Sequence, residues 1–236
     1  MLDETELQWI GLHRVNHIAV ITLKRPDRLN ALNREMTHEL HSVLDQISEE
    51  FPNTRALVLI GSGRGFCSGA DVSDISRRLN GNPVSVSSEQ SAGPSDIMRL
   101  APHLREIPQP VIAAVNGVAA GAGLGLALSC DIRIGSESAR FTSVFVKRSL
   151  VPDAGVSQLL GTLVGPGIAS EMALTGKVYD SSWALEKGLL NKVVPEEELL
   201  DHAKCLAAEI AANPPLAVKA TKQLMNSHSP DLRNII

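Results

Sequence analysis

Short apolar runs alternating with helically spaced segments constrain this chain more than any other feature. Residues 18–23, 56–60, 111–115 and 132–134 are brief and mostly unbroken by polar side chains, the pattern of strands covered on both faces. Between the first two, Met36, Leu40, Val43, Leu44 and Ile47 fall at helical spacing behind Asn33, a residue suited to capping a helix start. Residues 95–106 read as a further helix, and 117–128 as a run of small residues that becomes helical. Beyond Val151 the pattern is helical over 156–164, 167–174, 182–187, 197–211 and 216–225. Strands interleaved with helices, then a helical end, predict an α/β or α+β domain. The expected division is a core over 1–164 and a C-terminal helical region over 165–236.

Aromatic residues are only 3% of the 236, so the core has to be aliphatic side chains and alanine. The hydrophobic and charged fractions, 44% and 20%, exclude a disordered, collagen-like or coiled-coil chain. A net charge of −4 argues against a general nucleic-acid binder, which needs a basic face. Cys67, Cys130 and Cys205 are far apart and form no CxxC pair, which suggests reduced thiols. The first eight residues are acidic and polar and lack a signal-peptide pattern, and no run is long and apolar enough for a membrane span. A cytoplasmic protein is expected.

Several chemistries lack their motifs. There is no GxGxxG after a strand, no GxxxxGK[ST] loop and no GxSxG elbow. His38 and His41 sit three apart on one helix, a spacing that could hold a metal, but without HExxH an exposed polar face is the simpler reading. His13, His17 and His103 stand alone in sequence and read as structural. Segment 61–69 has four glycines in nine residues and predicts a loop with exposed backbone. Segment 72–94 is rich in Ser, Asn, Gly and Pro and predicts a mobile loop.

Three segments stand out: Arg25-Pro26-Asp27-Arg28-Leu29-Asn30-Ala31-Leu32, Gly65-Phe66-Cys67-Ser68-Gly69-Ala70-Asp71, and Ala114 to Gly123 running on to Cys130-Asp131-Ile132. With Ala139-Arg140-Phe141, Val151-Pro152-Asp153-Ala154-Gly155, Leu174-Thr175-Gly176-Lys177 and Gly188 to Val194, they resemble the crotonase (enoyl-CoA hydratase/isomerase) superfamily in order along nearly the whole chain. The resemblance implies a spiral of ββα units with a C-terminal helical region that forms trimers or dimers of trimers. Family members usually continue through further helices. It also implies an acyl-CoA substrate, no separate cofactor and no metal.

Chemistry in this superfamily passes through a thioester enolate, whose charge needs preorganised donors. By motif, the two oxyanion donors fall on the N–H groups of Ala70 and Ala122, with Gly69 and Gly121 allowing close backbone approach. The second loop opens a helix, whose dipole favours an anion. For the coenzyme A moiety the resemblance points to Lys24, Arg25, Arg28, Ala31, Ser68, Gly69, Asp71 and Gly121, with Lys222 a further cation. Asp71 could instead cap a helix start, and Asp131 could orient backbone at a strand start.

The family's hydratases use two glutamates. Counting from the motifs, those positions hold Gly125 and Phe145, neither of which moves a proton. Asp153 is the replacement the sequence offers. Isomerases resembling this chain carry an aspartate there as acid/base, and a dehalogenase branch uses it as a nucleophile. One carboxylate suffices to lift a proton from one carbon and return it to another. The competing role for Asp153 is a helix N-cap. The expectation is an enoyl-CoA isomerase. An enoyl-CoA hydratase with atypical carboxylates and a non-catalytic acyl-CoA-binding protein are the alternatives.

Overall fold

The computed structural model describes residues 5–71 and 96–227. The expected loop over 72–94 lies outside them. A seven-stranded sheet has the order β1 (Thr5–Glu6), β2 (Ile10–Val15), β3 (Ile18–Leu23), β4 (Ala56–Gly61), β6 (Val111–Val115), β8 (Ile132–Ser136), β11 (Lys192–Val194). The first three strands are antiparallel and the rest join in parallel. A smaller sheet has the order β10 (Tyr179–Asp180), β9 (Arg140–Thr142), β7 (Val118–Ala120), β5 (Gly65–Cys67).

The chain climbs through this frame in ββα turns. In three successive turns the first strand (β4, β6, β8) joins the large sheet and the second (β5, β7, β9) joins the small one. The helices are α1 (Arg34–Glu49), α2 (Asp96–Glu106), α3 (Ala122–Ser129) and α4 (Val156–Val164), followed by α5 (Pro166–Thr175), α6 (Ser181–Glu186), α7 (Leu199–Ala211) and α8 (Pro215–Ser227). This is the crotonase spiral that the motifs implied.

The uninterrupted strands are explained by cover on both faces. Ala19, Ile21, Leu57, Leu59, Val111 and Ala113 face a core closed by α1, α2 and α3. Ile18, Val20, Val58, Ile112 and Ala114 face the other way, beneath Leu199, Ala203, Ala207 and Ala211 of α7. Those four recur every fourth residue, so one helical stripe seals that face. The predicted Asn33 cap forms: its side chain accepts the N–H of Met36 at 3.0 Å.

The sequence reading missed the short strands. β5 lies inside the glycine-rich segment read as loop, and β7 precedes a helix read as starting earlier. Each has three residues, and parallel partners rather than side-chain pattern define them.

Candidate active site

β5 and β7 pair in parallel, Gly65 with Val118 and Cys67 with Ala119. Their C-terminal ends therefore emerge side by side, the edge where open parallel sheets place their sites. After β5 the chain bridges back to the first motif, Leu32 opposite Ala70. The N–H of Leu32 donates to Gly69 O at 2.8 Å, and that of Asp71 donates to Leu32 O at 2.9 Å. The Ala70 N–H between them consequently points to the far edge.

On that edge lies the second loop. Gly69 (φ +100°) is so close that a Cβ there would sit 2.8 Å from Ala120 O and 3.5 Å from Ala122 N. Only glycine meets both the dihedral and the space. Ala122 is the first residue of the buried helix α3, so no intrahelical acceptor exists for its N–H. Among the described residues, neither the Ala70 nor the Ala122 N–H donates to a protein acceptor. Gly121 (φ +54°) is anchored because its N–H donates to Thr142 O at the end of β9, 3.1 Å away. The Phe145 ring packs beside Gly121 as an apolar wall. Two free amide donors, a helix N-terminus and an apolar wall can together hold an oxyanion.

The first motif serves as a brace. Leu29 and Asn30 are both left-handed, at φ +49° and +54°, a conformation asparagine tolerates better than most residues. Asn30 is fully buried; its Nδ2 donates to Ser62 O and Gly65 O, and its Oδ1 accepts the Arg25 N–H. Arg25 donates to Ala31 O and pairs with Asp71 Oδ2 at 2.9 Å, both side chains largely covered. Its guanidinium also lies over the Trp9 ring. Ser68 donates to Arg28 O, and its N–H donates to Leu29 O. Arg25, Ser68 and Asp71 thus fasten the loop that carries Ala70, while Lys24 and Arg28 are exposed and Ala31 is buried. Asn30 was missed in the sequence; an asparagine directly before the Ala31-Leu32 pair was the available signal.

Asp153 sits on a strained turn. Ala154 and Gly155 are consecutively left-handed, at φ +47° and +82°, and a non-glycine residue held there is a cost met by its surroundings. Here α3 and α2 provide them. A Cβ on Gly125 would come 2.2 Å from Ala154 O, and one on Gly155 would come 3.0 Å from Ala101 Cβ. Gly125 lies four residues, about 6 Å of helical rise, along from Gly121, so the Asp153 turn is seated next to the anion loop. The N-cap role is not realised: Gly155 caps α4 without any side-chain bond, and Asp153 contributes only its carbonyl, accepting the Val156 N–H at 2.9 Å. The carboxyl is half-buried, and burial pushes its pKa up, against a lowering by its own backbone N–H.

Other candidates fall elsewhere. Lys222, read as a cation for coenzyme A, is buried; it donates to Leu104 O and Gln109 O and pairs with Asp131 at 3.0 Å. It neutralises Asp131 and caps the end of α2, so it is not a surface contact. Asp131 orients backbone as expected, accepting the Val111 N–H. Asp71 pairs with Arg25. His41 turns to His103 across α1 and α2, at 2.7 Å between Nδ1 atoms, so His103 is not isolated. Cys67 and Cys130 are buried, which pushes both thiols up to about 12 and leaves them unreactive.

The fold is that of a crotonase-type protein, with two free backbone amides gathered at a helix start. The chain belongs to the enoyl-CoA hydratase/isomerase family, whose pattern it matches over residues 13–234. It is 39% identical over 223 residues to a 1,2-epoxyphenylacetyl-CoA isomerase of Escherichia coli, covering 94% of this chain and 83% of that one. It is 37% identical over 224 residues to a short-chain-enoyl-CoA hydratase of Clostridium acetobutylicum, covering 94% and 82%. A crystal structure of an enoyl-CoA hydratase from Bacillus anthracis superposes with a TM-score of 0.85 at 37% identity, covering 95% and 85%. No helix among the described residues is long and apolar enough to cross a membrane.

Proposed function

We propose that this protein is an acyl-CoA isomerase that shifts a double bond through a thioester enolate. The Ala70 and Ala122 N–H groups hold the thioester oxygen as charge develops on it. Asp153, ionised, takes a proton from one carbon of the acyl chain and returns it to another; no atom is gained or lost. The observation that carries this reading is the contact between Gly125 and the Ala154 carbonyl. It sets backbone against the position of a hydratase glutamate, and among the described residues it leaves Asp153 as an unpaired carboxylate on a turn near the anion loop. Lys24 and Arg28 are exposed at the first motif and suit the coenzyme A phosphates.

The exposed apolar residues Leu150, Val151, Leu174 and Val178 support a trimer or a dimer of trimers. No coenzyme beyond the substrate's own is needed for this chemistry, and a cytoplasmic location fits the reduced thiols. A hydratase is the second reading, favoured by the identity to the Clostridium enzyme.

The test is an ultraviolet assay of wild type and Asp153→Asn with a β,γ-enoyl-CoA and with an α,β-enoyl-CoA. A gain of conjugated thioester absorbance from the first substrate, reduced about 10²–10⁴-fold by the substitution, supports the isomerase. Loss of absorbance from the second, unchanged in Asp153→Asn, overturns it in favour of the hydratase. Binding of both without turnover overturns it in favour of a non-catalytic acyl-CoA-binding protein.

A further inference from the structure

The packing of α1 on α2 contains an imidazole pair outside the site described above. His41 Nδ1 lies 2.7 Å from His103 Nδ1. His41 Nε2 lies 2.9 Å from Asp96 O, the first carbonyl of α2, and His103 Nε2 lies 3.1 Å from Asp45 Oδ1. The rings are nearly parallel, with centroids 5.0 Å apart.

Counting protons fixes the state of this pair. A carbonyl and a carboxylate only accept, so His41 Nε2 and His103 Nε2 must each carry a hydrogen. The two Nδ1 atoms need one hydrogen between them. That makes three protons on two rings, whereas two neutral imidazoles hold two and two imidazolium ions hold four. With two protons, either the Nδ1 lone pairs face each other, or His103 Nε2 turns a lone pair to the Asp45 carboxylate, or His41 Nε2 turns one to the Asp96 carbonyl. With four, two Nδ1–H groups collide. The geometry therefore belongs to the singly charged pair alone.

The clamp has a route to the turn that carries Asp153. His103 is two residues from Ala101, whose Cβ abuts Gly155. We propose that His41 and His103 form a singly charged, proton-sharing pair that clamps α2 to α1 and makes the seating of the Asp153 turn dependent on pH. The second part rests on the function proposed above.

The surrounding charges fit. On α1, Asp45 faces His103, and His38 lies one turn before His41. On α2, Glu106 acts on His103, with Arg99 one turn earlier and Asp96 at the helix start. Burial and the charge on His41 push the His103 imidazole below its ordinary value, while Asp45 and Glu106 pull it up. In a coupled pair this is resistance to the fourth proton. The sign follows: the singly charged clamp is lost on the acid side as pH falls through the lowered His103 value, and on the alkaline side when the shared proton leaves.

The experiment labels the histidines of the full chain with ¹⁵N and follows two-bond ¹H–¹⁵N correlations with pH, using His41→Gln and His103→Gln for assignment. The expected result is that both rings move together in two steps separated by a plateau holding three protons, and that His103→Gln reduces His41 to one step. Single, independent steps in wild type overturn the pair. For the link to the site, turnover is followed against pH. His103→Gln is expected to flatten the acid limb and lower kcat about 3- to 10-fold with little change in KM. Superimposable profiles overturn the link while the shared proton stands. Turnover unaffected by Asp153→Asn overturns the functional reading instead, and leaves the spectra untouched.

Discussion

The anion loops and the Asp153 turn sit side by side but are built in opposite ways. The loops are backbone devices. Their donors are peptide N–H groups placed by the parallel pairing of β5 with β7 and locked by Leu32, Thr142 and the Asn30 brace. The turn offers a single side chain, half-buried, on two left-handed residues beside the exposed Leu150 and Val151. A donor made of backbone survives any substitution, proline excepted, that keeps the fold. A carboxylate can be exchanged or relocated without disturbing the strands beneath it. That separation accounts for one frame being shared, at nearly equal identity, with a relative named an isomerase and one named a hydratase.

The comparison predicts that the loops can be damaged only through the backbone. Proline at Ala122 is the most direct way, because it deletes one N–H at the first helical position, where its ring is tolerated. Ala122→Pro is expected to lower kcat about 10²–10³-fold, the usual cost of one oxyanion donor, with unchanged helix content by circular dichroism. A variant that folds and turns over normally would show that the Ala122 N–H is not a donor to the substrate.

The next effect tests whether the two regions are mechanically joined. Gly125 has no room for a Cβ, because the obstacle at 2.2 Å is the Ala154 carbonyl. Gly125→Ala has to lift the Asp153 turn off α3. The expected destabilisation is about 1–3 kcal/mol, or very roughly 3–10 °C in Tm for a chain of this size, with turnover falling alongside. A fall in Tm with unchanged kcat would show that the turn's seat does not position Asp153.

How much of this was legible in the sequence follows the same division. The strands β3, β4, β6 and β8 announced themselves because both faces are covered and their apolar runs are nearly continuous. β5 and β9 did not, because in three-residue strands the backbone partners carry the structure. Ala70 and Ala122 have no side-chain signature; they became visible through the motifs around them, and the physical reason appears only when Gly69 is seen against Ala120 and Ala122. The sequence reading expected Gly125 and Phe145 to stand where hydratases carry carboxylates; nothing in it announced the Ala154 carbonyl packed against Gly125. Lys222 was misread, since a lone lysine on an amphipathic helix gives no sign that its amine ends on Leu104 O, Gln109 O and Asp131. His41 and His103 are 62 residues apart, and no local pattern joins them.

A smaller effect separates the exposed cations from the covered one in the first motif. Lys24 and Arg28 are exposed, whereas Arg25 is committed to Asp71 and Ala31 O. Replacing both Lys24 and Arg28 by Met is expected to raise KM for an acyl-CoA about 3- to 10-fold at low salt, since each exposed ion pair is worth little. The difference should shrink as added salt screens it, and kcat should hold. An unchanged KM would leave the phosphates to other parts of the protein.

The smallest effect sharpens the contrast most, because it separates the cost of Asp153 from its use. Burial raises the Asp153 carboxyl above its ordinary value, so the folded state favours its neutral form. The sign of the linkage is then fixed. The stabilising contribution is complete below the unfolded carboxyl value and is lost as pH rises through the folded one. At neutral pH the ionised side chain is a small net cost, limited by its partial exposure to solvent. Asparagine has nearly the same shape and carries no charge. Asp153→Asn is expected to raise Tm by about 1–2 °C at pH 7 and to lose that advantage as pH falls below the ordinary carboxyl value, where the side chain is neutral in both the folded and the unfolded chain. A substitution that removes turnover and stabilises the fold marks a carboxylate held for chemistry. A fall in Tm at neutral pH would mean that the charge holds the turn together, and the division between a structural backbone site and a freely exchangeable acid/base would fail.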